Sequence, residues 1–261
     1  MSAEPRALIT GASAGLGAEF ARQLASKGKD LVLVARRLEP MQELAAELTD
    51  EFNVAIDIIQ ADLSKTDATA RLFAEVNDRG MTVDYLINNA GAVGPDLLTE
   101  RDWPEQQAYI ELMMTSVAGM CHHFIPPMQS RGFGRVLNVA SVAGHVSLAG
   151  DTSYGPTKAY LIALSKGLAA TVRPQGVYVL ALCPGFTHTE FHQSPELTRM
   201  KSRSPTILWY DAEVVVHEGL AALEKGKTVY ISGRLYRYLV PVLKSRIGAW
   251  LMTRMGVKRD Y

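Results

Sequence analysis

Cysteine is scarce. Two thiols in 261 residues, Cys121 and Cys183, make no disulfide framework, and neither has neighbours at metal-ligand spacing, so a reducing compartment is expected and no metal site. Long apolar runs are missing too, none approaching the roughly 18 residues that a bilayer span needs. The first strand-like run starts at residue 6 and leaves no room for a charged-then-apolar secretion signal, so a cytoplasmic protein is expected. Internal repeats, low-complexity tracts and linkers are absent as well. Nor is there an excess of either charge, because 27 Lys and Arg balance 27 Asp and Glu, and no nucleic-acid partner is expected.

What is present fits one large α/β unit, with 48% apolar and 21% charged residues supplying a substantial core and a solvated exterior. Apolar runs at Arg6 to Thr10, Leu31 to Ala35, Val54 to Gln60, Tyr85 to Asn88, Arg135 to Ala140, Val177 to Cys183 and Thr228 to Ile231 read as seven strands. Between them, Glu39 to Phe52, Ala68 to Arg79, Glu105 to Gln129 and Ser153 to Val172 have helical length and period. Repeated β–α units predict a doubly wound parallel sheet of about seven strands, with the turns after the strands gathered along one ligand-binding edge.

The first such turn is Gly11-Ala12-Ser13-Ala14-Gly15-Leu16-Gly17, leading into a helix from Ala18 to Lys27. Gly11 permits a tight turn, Gly15 lets backbone approach a pyrophosphate, and Gly17 lets the helix pack closely on the strand. The N–H groups at the helix start then face the phosphates. Further along, Tyr154 and Lys158 are four residues apart on one helical face, with Ser141 thirteen residues before the tyrosine. A free phenol titrates near ~10, too high for proton exchange at neutral pH, and a fixed cation beside it favours its ionised form. An isolated Tyr-x-x-x-Lys is more often a surface pair; the cofactor-type turn upstream gives it a chemical reading.

These motifs together resemble the short-chain dehydrogenase/reductase family, of the single-domain Rossmann-fold type. The resemblance runs over roughly residues 5 to 233 and rests on Thr10-Gly11-x-x-x-Gly15-x-Gly17, Asp62-Leu63, Asn88-Asn89-Ala90-Gly91, Ser141, Tyr154-x-x-x-Lys158 and Pro184-Gly185-x-x-x-Thr189, in the family's order. It implies that Asp62 and the Leu63 backbone meet the adenine, and that Asn88, Ala90 and Gly91 close over the cofactor. It also implies Thr187 and Thr189 near the carboxamide and pyrophosphate, after the Pro184-Gly185 turn. Ser141 would anchor the substrate oxygen and Tyr154 would exchange the proton. Lys158 would tune Tyr154 and hold the nicotinamide ribose. Dimers or tetramers are expected on the same ground.

The second strand ends Val34-Ala35-Arg36-Arg37, where members using NAD usually carry an acid for the ribose hydroxyls. Ala35 removes that acid, and Arg36 and Arg37 can neutralise a 2′-phosphate, with Ser13 adding a hydroxyl, so NADP(H) is expected in preference to NAD(H). Ala14 departs from many NADP-using relatives, which have a basic residue there. A second departure lies in the fourth helix, where relatives carry an asparagine that helps hold a proton-relay water. One alignment puts Met113 at that position and another Ser116.

Residues Phe186 to Asp211, interrupted by Pro195 and Pro205, read as a lid in which Phe191, Met200, Leu208 and Trp209 face an apolar substrate or simply pack. His188 and His192 are spaced i, i+4, but no nearby acid completes a metal site. Nine Lys and Arg against Asp260 give residues 225–261 a charge of +8, leaving −8 on residues 1–224. Residues 1–233 are therefore read as the catalytic domain and 234–261 as a basic amphipathic extension of it. That extension could lie on an anionic membrane; the ordinary alternative packs it on the core at the pocket mouth. The expected function is NADP(H)-dependent hydride transfer between nicotinamide and an apolar carbonyl or alcohol, the alternative a cofactor-binding sensor with little turnover.

Overall fold

The structure, a computed structural model, describes residues 6–147, 149–188 and 205–245. Seven strands form one parallel sheet: β1 (Arg6–Thr10), β2 (Leu31–Ala35), β3 (Ile56–Gln60), β4 (Val83–Asn88), β5 (Gly134–Val139), β6 (Val177–Cys183) and β9 (Val229–Ile231). Their order is β3-β2-β1-β4-β5-β6-β9. The chain winds outward one way from β1 to β3 and the other way from β4, so a crevice opens where the turns after β1 and β4 part. All seven expected strands are there, their ends displaced by no more than two residues.

Both faces of the sheet are covered, which is why strands such as Leu31–Ala35 are buried along their whole length. On one face Leu8, Val32, Leu86 and Val136 meet α3 (Ala68–Asp78), α5 (Ser116–Arg131) and α6 (Tyr154–Val172). On the other, Ile9, Leu33, Ile87 and Leu180 meet α1 (Gly15–Ala25), α2 (Leu38–Phe52) and α7 (Ala212–Glu224). Alternate residues of each strand thus feed different cores.

The segment expected as one helix over Glu105 to Gln129 is α4 (Trp103–Ile110), a π-helical turn at Glu111–Thr115, and then α5. In that turn Ser116 N–H reaches five residues back to Glu111 O, while its hydroxyl takes the Leu112 carbonyl at 2.7 Å. Simple helical periodicity does not reveal such a bulge.

Within the stretch read as a lid, Phe186–His188 (β7) and Trp209–Asp211 (β8) pair as a two-stranded parallel ribbon. Trp209 stacks on Phe186 and His188, with ring centres 5.1 and 5.2 Å apart, so it packs within the ribbon. Phe191, His192 and Met200 lie outside the described residues. Helix α8 (Arg234–Lys244) buries Tyr236 and Val240, and Arg237 is paired with Glu218 of α7 at 3.0 Å. This part of the extension is therefore packed on the domain, and residues 246–261 lie outside the described residues. Among the described residues no helix is long and apolar enough to cross a membrane.

Candidate active site

The glycine turn after β1 is built by close approach. Gly11 sits at φ +67° and Gly15 at +56°, the left-handed region that glycine alone enters without cost. A Cβ on Gly17 would stand 2.1 Å from Gly11 O, and one on Gly11 would stand 2.9 Å from Ala90 Cα. Leu16 points back into the core against α2's side of the sheet. The turn is locked from β4: Asn89 Nδ2 donates to Thr10 O at 2.9 Å and Gly11 O at 3.3 Å, while Asn89 N and Ala90 N both donate to Thr10 Oγ1 at 3.0 Å.

Asn88 itself turns inward. Its Nδ2 donates to Asn138 Oδ1 at 2.8 Å, and Asn138 passes the chain on to Ser165 Oγ at 2.9 Å. Asn89 is thus the residue of that motif whose side chain ties down the glycine turn, a role not assigned from the sequence. No sequence signal separates the two adjacent amides, because only the placement of Thr10 in space decides which of them meets it.

The basic pair after β2 divides its contacts. Arg37 Nη2 reaches Ser13 Oγ at 3.3 Å and Ser13 O at 3.4 Å, whereas Arg36 lies in the field of Asp62. Both arginines are exposed beside the glycine turn. Asp62 Oδ1 accepts from Ser64 N and Ser64 Oγ at 3.0 and 2.7 Å. Burial pushes the Asp62 carboxyl upward, but the two Ser64 bonds and the Arg36 and Lys65 charges outweigh it and hold the group below the usual range. The Leu63 side chain joins the core.

On the other side of the crevice, the chain leaving β5 and β6 is cross-tied, with Ala140 N on Leu182 O at 2.7 Å and Val142 N on Pro184 O at 2.9 Å. Between those ties Ser141, 8% exposed, accepts from Ala143 N at 3.1 Å and opens a 3-10 turn over Val142–His145. That turn lies on α6 so closely that a Cβ on Gly144 would be 2.6 Å from the Lys158 carbonyl carbon. Tyr154 starts α6, where Asp151 Oδ1 accepts the Gly155 N–H at 2.9 Å. Lys158, 4% exposed, donates from Nζ to Val139 O at 2.8 Å and lies 5.6 Å from the Tyr154 ring centre. Burial pulls its pKa down to about 8, with Cys183 opposing weakly. Ser141, Tyr154 and Lys158 are thereby brought to the same edge of the parallel sheet as the glycine turn.

Pro184 and Gly185 are seated by α8. A Cβ on Gly185 would overlap the Tyr236 ring at 1.9 Å, and Tyr236 OH accepts from Phe186 N at 3.2 Å and donates to Leu208 O at 2.9 Å. Thr187 is buried with its hydroxyl on Gly185 O at 3.1 Å; Thr189 lies outside the described residues. Met113, in the π turn, places its sulfur 3.4 Å from Ala92 N, and a Cβ on Gly91 would be 3.3 Å from that sulfur. Of the two alignments, Met113 is the one that meets the end of β4. Among the described residues no three His, Cys, Asp or Glu are grouped to hold a metal ion.

The sequence profile described as short chain dehydrogenase matches residues 5–199. The chain belongs to the short-chain dehydrogenase family. A serine 3-dehydrogenase of Agrobacterium fabrum is 35% identical over 189 residues, 70% of this chain and 72% of that one. A short-chain dehydrogenase of Sphingobium yanoikuyae, solved in complex with NADPH, is 31% identical with a TM-score of 0.77, over 98% of this chain and 96% of its own. The bulky-bulky ketone specific alcohol dehydrogenase of Comamonas testosteroni is 29% identical with a TM-score of 0.78, over 96% and 95%. The family's nicotinamide dinucleotide fits the residues present. Gly11 and Gly17 make a cradle with no room for a Cβ, the helix N-terminus of α1 offers N–H groups to a pyrophosphate, and a buried cation stands across the crevice.

Proposed function

We propose that the protein is an NADP(H)-dependent reductase or dehydrogenase that interconverts an apolar carbonyl and its alcohol. The observation that carries this reading is Lys158, sealed at the end of β5 with its ammonium near the face of Tyr154. Bound nicotinamide supplies or accepts the hydride. Tyr154 gives its phenolic proton to the substrate oxygen in reduction and takes it back in oxidation. Ser141, held by the turn it opens, donates a hydrogen bond to that oxygen as charge develops on it. Lys158 lowers the cost of ionising Tyr154 and holds the nicotinamide ribose.

Gly11, Gly15 and Gly17 admit the pyrophosphate, while Asp62, Leu63, Ala90 and Gly91 border the adenine half. Arg37, steadied by Ser13, and Arg36 beside it take the 2′-phosphate; the NADPH complex of a relative 31% identical supports that preference. Exposed Leu97 and Leu98 and the partly exposed Phe186 offer the substrate side an apolar border, in keeping with the bulky ketones named for a relative 29% identical. Assembly as a dimer or tetramer accompanies this reading, with light scattering as its check.

The test is a panel of ketones assayed with NADPH and NADH, beside Tyr154→Phe. Bulky ketones should turn over faster with NADPH, and the variant should lose at least about a hundredfold in kcat while binding NADPH unchanged. A second reading, a cofactor-binding sensor, is favoured by the lack of the family's asparagine, since neither Met113 nor Ser116, the two residues aligned with it, supplies one. NADPH binding without turnover by either protein would select it.

A further inference from the structure

Past Asn89 and Ala90, which the glycine turn holds, the segment leading from β4 to α4 is tied elsewhere. Four donors converge on one side chain in it. Asp96 Oδ1 accepts from Leu98 N and Thr99 N at 2.9 Å each and from Thr99 Oγ1 at 3.1 Å, while Oδ2 accepts from Thr152 Oγ1 at 2.9 Å. The same Thr152 oxygen accepts Leu97 N–H at 2.8 Å, so its single hydroxyl serves the segment as donor and acceptor at once. The next residue, Ser153, donates to Pro95 O at 2.5 Å. Tyr154 follows directly, as the first residue of α6.

The far side of the segment is held equally firmly. Buried Gln106 of α4 donates to Asp96 O at 3.1 Å and Glu100 O at 3.4 Å, and Gly94 lies on the Tyr109 ring with 2.4 Å left for a Cβ. The β4–α4 segment is therefore clamped between α4 and the two residues that precede the candidate proton donor. The first turn of a helix has no intrahelical partner for its N–H groups and depends on neighbours for its placement. Here Asp151 takes the Gly155 N–H while the Ser153 side chain turns away to Pro95, so the ties through Thr152 and Ser153 add to Asp151 in setting how Tyr154 enters the helix.

We propose that Asp96, acting through Thr152, is a positioning residue that fastens the β4–α4 segment to the start of α6 and so fixes Tyr154 against substrate and Lys158. The proposal rests on Tyr154 being the proton donor. Asp96 is a positioning residue and not a catalytic one; its effect passes through the one hydrogen bond it accepts from Thr152, whose oxygen also takes the Leu97 N–H.

The test compares Asp96→Ala, Thr152→Val, Thr152→Ser and the Asp96→Ala/Thr152→Val double variant as full chains, in ketone reduction with NADPH and in amide hydrogen exchange. Asp96→Ala and Thr152→Val should each lower kcat about tenfold, with KM for NADPH unchanged within about twofold. The double variant should be no worse than the poorer single one, because both break the Asp96–Thr152 bond. Thr152→Ser, which keeps both bonds, should recover the kcat that Thr152→Val loses. Exchange should rise together over residues 96–99 and 152–155. A kcat within twofold of wild type in Asp96→Ala, losses that multiply in the double variant, or failure of Thr152→Ser to recover activity would each overturn the proposal. If wild-type protein binds NADPH but reduces no ketone, the proposed reaction fails separately, and exchange decides the strap: coupled rises uphold it, and a rise confined to 96–99 overturns it.

Discussion

After β1 the chain is held by what it lacks: Gly11 and Gly17 bring backbone to within a distance that leaves no place for a Cβ, and one amide, Asn89, closes the turn. Across the crevice the chain around Tyr154 is held by side chains instead, with Asp96, Thr152 and Ser153 tying two loops together and Asp151 taking the Gly155 N–H of the helix itself. The first arrangement is steric and tolerates almost no substitution. The second is polar and can be retuned one bond at a time.

That contrast can be broken most violently at Gly17. Gly17→Ala puts a methyl 2.1 Å from Gly11 O, so the turn must open; NADPH affinity should fall about a hundredfold or more, read by fluorescence titration. Affinity within threefold of wild type would show that the cradle is not rigid.

On the polar side, Lys158→Met isolates the buried charge. The folded-state pKa of about 8 lies below the unfolded value near 10.4, so the ammonium destabilises the fold below about pH 8 and the penalty vanishes as pH rises through 8 towards 10.4. Methionine there should raise stability by as much as about 3 kcal/mol at pH 7, while abolishing most turnover, and the stability gain should shrink steadily above pH 8 in denaturant titrations. A gain that does not vary with pH would refute the buried-charge account.

Arg37→Ala tests a single polar contact at the edge of the steric half. Affinity for NADPH should fall about tenfold and that for NADH should stay level, since only the former carries a 2′-phosphate. Equal losses for the two cofactors would assign Arg37 to the turn's architecture. The smallest effect is expected at Met113, whose sulfur already accepts from Ala92 N. Met113→Asn should leave reduction intact or improve it, and a loss above tenfold would oppose placing the family asparagine there.

The two halves were also unequally legible in the sequence. Strands buried on both faces announce themselves as apolar runs, and glycines required by close approach fall at fixed spacing, so the sheet and the turn after β1 were read almost residue for residue. Asn89, by contrast, earned its contact through its position beside Thr10 in space, and Asn88 next to it looked equivalent on paper. The π turn at Glu111–Thr115 was hidden because a bulge shifts the helical phase without changing composition. The Asp96 strap joins residues 56 apart in the chain, and nothing about either partner predicts the other. Three-residue strands such as β7 and β8 are too short for alternation to register.

Tyr236 gives the molecule a direction in time. Its ring fills the space over Gly185 and its hydroxyl links Phe186 to Leu208, yet it is synthesised after every strand of the parallel sheet. A nascent chain that has emerged only as far as β9 already possesses the glycine turn, Ser141, Tyr154 and Lys158, but the loop after β6 still has no lid on its inner side. Support for the loop after β6 therefore waits on the last described helix, and a chain stopped just before Tyr236 would carry a finished sheet with Gly185 and Phe186 still unbraced.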